Sequence, residues 1–185
     1  MNIREVPFYA IGGVYEQDDV EAAMRVIGAA TEENGDFFPM PEEIGFQNML
    51  AKHEGAKKAV VVNSCGTALD CCMMALGIKE GDEVITTPLT FVCSAGTAVA
   101  RGAKVVFADI EPQTLNLDPA RVREKITEKT KAIVGVHFTG LACDLNEFDK
   151  ITAETGVPVI YDAAHAVGSK YKGEPIGTYF LDFIA

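Results

Sequence analysis

The 185-residue chain is 48% hydrophobic, which suits one domain with a buried core and argues against disorder. Its formal net charge of −11, with no basic run, argues against a nucleic-acid binder. No apolar stretch approaches the ~20 residues of a membrane-spanning helix, and the N-terminus MNIREVPFYAIGG lacks a signal-peptide core, so a cytoplasmic protein is expected.

Residues 1–41 are expected to form an N-terminal helix and a loop. Val20, Ala23, Met24 and Ile27 share one face of a helix over 17–29. The polar stretch 30–41, with Gly35 and Pro39, reads as a loop. From residue 42 to 185 helices and strands alternate. Residues 43–53 read as a helix that Gly55 stops. The β-branched run 59–62 reads as a strand buried on both faces. Residues 67–76 read as a helix stopped by Gly77, 83–86 as a strand, and 91–101 as a helix closed by Gly102. Strand 104–108 follows. Asp118-Pro119 then supplies the N-cap and first turn of a helix to 126. Strand 132–136, helix 146–155 and strand 157–161 complete the series, with Asp162 just past the last strand. Such alternation predicts an α/β fold of three layers, α/β/α, around a mainly parallel sheet with right-handed crossovers.

Ligands of such sheets bind at the carboxyl ends of the strands. Three polar motifs fall there: Asn63-Ser64-Cys65-Gly66-Thr67, Thr86-Thr87-Pro88-Leu89-Thr90-Phe91, and Asp162-Ala163-Ala164-His165. In the first, Gly66 allows close backbone approach to an anion, Thr67 adds a hydroxyl, and the helix start presents free N–H groups. An ordinary N-cap explains the same residues. Phe91 either packs in the core or stacks on a flat ligand. A carboxylate at the Asp162 position pairs well with a protonated ring nitrogen, and His165 is near enough in sequence to meet the same ligand. His137, past another strand end, reads as structural first and catalytic second. No metal site is expected, because Asp162 and His165 alone do not make one. The cysteines Cys65, Cys71, Cys72, Cys93 and Cys143 are odd in number and form no CxxC pair, so reduced packing thiols are expected. A helix N-terminus at Cys65 is the one feature that would lower a thiol pKa.

Taken in order, these blocks resemble the DegT/DnrJ/EryC1/StrS aminotransferases, pyridoxal 5′-phosphate (PLP) enzymes of fold type I. The blocks are Asn63 to Leu69, Thr86 to Phe91, Gly102 to Ile110, Asn116 to Pro119, Val136 to Gly140 and Tyr161 to Ala166. The resemblance implies that residues 42–185 are part of the PLP-binding large domain. It implies that Gly66 and Thr67 hold the cofactor phosphate and Phe91 stacks on the pyridine. Asp162 would keep the ring nitrogen protonated, and His165 would lie near the 3-hydroxyl. It further implies an amino-acid donor such as glutamate, a keto-sugar nucleotide acceptor and a homodimer.

The Schiff-base lysine motif of the family is not found. Lys170 and Lys172, the lysines after Asp162, lie in a turn-like stretch that resembles a family hairpin. The chain is therefore expected to be a truncated large domain, inactive alone, with the lysine and the small domain belonging downstream of Ala185. Another fold type I enzyme or a non-catalytic scaffold of the same fold is the alternative reading. A dinucleotide enzyme fits less well, because no G-x-G-x-x-G follows a strand.

Overall fold

The β-branched runs of the second half find one another in a single parallel sheet. The computed structural model describes residues 15–31, 41–179 and 183–185. Its strands are β1 (Glu83–Thr86), β2 (Lys104–Phe107), β3 (Thr130–Val136), β4 (Val159–Asp162) and β7 (Phe183–Ile184), in the order β2-β1-β3-β4-β7. Every neighbouring pair in it is parallel. A two-stranded antiparallel hairpin, β5 (Lys170–Tyr171) with β6 (Glu174–Pro175), stands apart. Lys172 and Gly173 turn it with φ of 50° and 93°, as a two-residue hairpin loop requires.

Side chains alternate across the sheet and build two cores. On one face Val84, Ala132, Val134 and Ile160 pack with Leu69, Cys72 and Met73 of helix α3 (Cys65–Ala75) and Ala98 of α4 (Cys93–Ala100). On the other, Ile85, Ile133, Val159 and Tyr161 pack with Val122 of α5 (Pro119–Arg123) and Leu145, Phe148 and Ile151 of α6 (Leu145–Thr155). This is the expected three-layer arrangement.

Local chemistry sets the helix ends. The Ser64 hydroxyl caps α3, Asp118 caps α5 ahead of Pro119, and Asp144 caps α6. Gly156 closes α6 at φ 73°. Helix α4 starts two residues later than its sequence suggests, which leaves Phe91 and Val92 outside it. Asp162 is the last residue of β4 rather than the residue after it, paired with Val136 of β3.

One element differs outright. Residues 59–62 form no strand, and Val60 is 76% exposed. A β-branched run becomes a strand only beside a ladder partner, and the described strands pair with one another instead.

The chain divides into two units, residues 1–46 and 47–185. In the first, α1 (Gln17–Ala30) carries a capping box of Glu16 and Asp19, and its Val20, Met24 and Ile27 are exposed. Helix α2 (Pro41–Glu54) runs across the division. The loop expected over 30–41 falls mostly on residues 32–40, outside those described. No described helix is long and apolar enough to cross a membrane.

The strand order reverses between β1 and β3. From β1 the chain adds β2 on one side, then returns to add β3, β4 and β7 on the other. Such a switch point leaves a crevice at the carboxyl ends of its two strands.

Candidate active site

That crevice is a cleft of about 340 Å³. Ser64, Cys65 and Gly66 come to it from the start of α3. Thr90 and Phe91 come from the connection after β1, and Cys93 from the start of α4. Val136 ends β3 with His137 and Phe138 after it, and Asp162 ends β4 with Ala164 and His165 after it. The three polar motifs of the sequence therefore do converge.

At the α3 end, the Ser64 hydroxyl accepts the Thr67 N–H at 3.2 Å. The Thr67 hydroxyl donates to Asn63 Oδ1 at 2.6 Å, so Thr67 braces the cap and does not line the cleft. Among the described residues the N–H groups of Cys65 and Gly66 have no acceptor. Free first-turn N–H groups at a helix N-terminus suit an anion. Gly66 is not needed for an unusual backbone angle: a Cβ there would meet Cys93 Cβ at an ordinary 3.5 Å.

Asp162 is 4% exposed. Its Oδ2 accepts the Ser94 hydroxyl at 2.7 Å, and Oδ1 faces the Ala164 N–H at 3.2 Å and the Cys65 thiol at 3.5 Å. Thr90 Oγ1 lies 2.7 Å from Ser94 Oγ, so a relay of two hydroxyls fixes one carboxylate oxygen. Ser94 was not legible as a site residue; its only sequence signal is its place after the Thr-Phe loop.

Phe91 is 75% exposed at the cleft wall, so its ring is free of the core and available to a flat ligand. His165 is exposed on the wall, its ring centroid 6.5 Å from that of Phe138. His137 is fully buried and stacks on Tyr161 at 4.9 Å. Its Nδ1 accepts the Cys143 N–H at 3.1 Å, so the neutral ring carries its hydrogen on Nε2. That Nε2 has no partner among the described residues. An orphaned buried donor in a cleft wall is a group that a bound ligand can satisfy.

Burial pushes the His137 pKa down to about 4, against the raising effect of Asp162. The unfolded chain, with an ordinary histidine near 6.5, takes up the proton first. Stability is then fully present above pH 6.5 and lost as the pH falls towards 4, by about 3 kcal/mol from this group. Chemical denaturation across that window should show the loss. His137→Asn, whose Oδ1 can still accept from Cys143, should shrink it.

The cysteines depart from expectation. Cys71 is exposed, while Cys65 and Cys93 are half-buried in the cleft wall. The helix N-terminus does not lower the Cys65 pKa. Burial first and the Asp162 charge second push it up to about 12.

The model of the DegT/DnrJ/EryC1/StrS aminotransferase family matches residues 18–182. The chain belongs to that family. It is 40% identical over 141 residues to the UDP-2-acetamido-2-deoxy-3-oxo-D-glucuronate aminotransferase of Pseudomonas aeruginosa, covering 76% of this chain and 39% of that protein. The crystal structure of 3-amino-5-hydroxybenzoic acid synthase superposes with a TM-score of 0.83 at 32% identity, covering 94% of this chain and 44% of that one. NtdA of Bacillus subtilis, solved with bound cofactor PMP, superposes at 0.81 with 28% identity, covering 94% and 40%. The chain thus spans less than half the length of these relatives, and its fold is that of the large domain of fold type I PLP aminotransferases, in part.

Proposed function

We propose that the protein is a PLP-dependent aminotransferase that moves an amino group from an amino acid, with glutamate the expected donor, to a keto-sugar nucleotide. The observation that carries this reading is the buried Asp162 carboxylate in a switch-point cleft that the start of a helix with two free N–H groups also lines. The cleft fits PLP: a helix end for the phosphate, an exposed ring for stacking, and a carboxylate for the pyridine nitrogen. Bound PLP would carry the amino group and accept electrons into its ring.

In this reading Cys65 and Gly66 bind the phosphate through their N–H groups, and Thr67 holds the loop that presents them. Phe91 covers one ring face. Asp162 holds the proton on the ring nitrogen, and Ser94 with Thr90 orients Asp162. His165 lies at the ring edge. His137 Nε2–H is left as a donor for the bound ligand.

Among the described residues no lysine lines the cleft, and Lys170 and Lys172 lie in the β5–β6 hairpin. The reading therefore takes the Schiff-base lysine from outside residues 1–185, so residues 1–185 alone would be inactive. It also takes the enzyme to be a cytoplasmic homodimer. The relatives' names differ in acceptor: one is a keto-sugar nucleotide and another leads to an aromatic amine.

The test is to supply the full-length protein with PLP, glutamate and a panel of UDP- and dTDP-linked keto-sugars, and to measure 2-oxoglutarate formed against aminated sugar. Stoichiometric formation of both supports the reading. Turnover with simple keto acids and none with keto-sugars would replace it with an amino-acid aminotransferase. No turnover with any acceptor would favour a non-catalytic scaffold.

A further inference from the structure

Two thiols and a carboxylate from separate elements meet in the cleft wall. Cys65 opens α3, Cys93 opens α4, and Asp162 ends β4. One ligand atom from each lies within 4.8 Å of the other two. The Cys65 Sγ to Asp162 Oδ1 separation is 3.5 Å. A tetrahedral zinc, with Zn–S of ~2.3 Å and Zn–O of ~2.0 Å, holds its sulfur and oxygen ligands about 3.5 Å apart. Asp162 can ligate through Oδ1 alone, because Ser94 holds Oδ2. Among the described residues the other cysteines offer no such group. Cys71 and Cys72 are adjacent on one helix, where neighbouring side chains diverge. Cys143 is fully buried, with its thiol donating to the Val136 carbonyl at 3.1 Å.

We propose that Cys65, Cys93 and Asp162 form a binding site for a soft divalent cation of the Zn²⁺ class. Thiolate ligands select such ions over Mg²⁺ or Ca²⁺. Three protein ligands leave a fourth position open to the cleft. Binding releases the two thiol protons to solvent. Burial and the nearby Asp162 charge hold both thiols protonated until a cation arrives, which also disfavours a simple disulfide. A cation on Asp162 Oδ1 would exclude a cofactor from the same carboxylate, a consequence that rests on the reading under Proposed function.

The experiment adds Cd²⁺ to the reduced protein free of cofactor and follows the cadmium–thiolate charge-transfer absorption. Iodoacetamide labelling with mass spectrometry then reads each cysteine. The site predicts saturation at one Cd²⁺ per chain. It predicts joint protection of Cys65 and Cys93 while Cys71 stays reactive. Cys65→Ser and Cys93→Ser each weaken Cd²⁺ binding about tenfold or more, and Cys71→Ser leaves it unchanged. Absence of the band, protection of Cys71 or Cys72 instead, or unchanged affinity in both cleft variants overturns the proposal. The labelling arm needs no substitution, so a misfolded variant does not decide the matter. Adding pyridoxamine phosphate afterwards separates the two readings. If Cd²⁺ binds as predicted but the cofactor does not compete, the metal site stands and the cofactor placement fails.

Discussion

Asp162→Ala should lower the kcat/KM of the full-length protein for the proposed amino transfer on the order of 10²- to 10³-fold, the scale of losing one preorganised electrostatic group. The carboxylate is buried and fixed by the Ser94 hydroxyl at 2.7 Å, so solvent screens it less than it would an exposed carboxylate. The fold should survive the change. Ser94 already has a second acceptor in the Phe91 carbonyl at 3.1 Å, so its hydroxyl is not orphaned. Asp162→Asn makes a sharper comparison, because it keeps the shape and removes the charge. Both variants should lose kcat more than they raise the donor KM. A variant with activity near that of the wild type would mean that the ring nitrogen does not meet Asp162.

Phe148→Ala is the substitution with the largest expected cost in stability, about 3–5 kcal/mol, as for other fully buried aromatics. Phe148 lies in the core between α6 and the sheet, edge-on to Tyr161 at 6.1 Å. Tyr161 stacks in turn on His137, so the cavity would also loosen the deep wall of the cleft. Urea or guanidinium denaturation measures the loss. Val99→Ala on the exposed side of α4 is the contrast, expected within about 0.5 kcal/mol of wild type. Equal costs at the two positions would contradict the placement of the core.

Much of this architecture is legible in the sequence because its signals are local. The runs at 83–86, 104–108 and 157–161 are short and bounded by turn residues, and Ser64 and Asp118 mark helix starts by cap chemistry alone. Residues 59–62 look the same locally and form no strand, because pairing is a property of partners distant in sequence. In the site, Asp162 and the α3 cap stand at element ends and were findable there. Ser94, Cys93 and the orphaned Nε2 of His137 were not, since their roles arise only where three strand ends converge. The motif resemblance puts Thr67 on the phosphate, whereas its hydroxyl turns to Asn63 and braces the cap.

The most direct measurement is a crystal structure of the protein with pyridoxamine phosphate, which needs no lysine to bind. The phosphate should lie at the N–H groups of Cys65 and Gly66, and the pyridine nitrogen within hydrogen-bond distance of Asp162. A cofactor bound elsewhere, or one with its ring nitrogen turned away from Asp162, would contradict that placement.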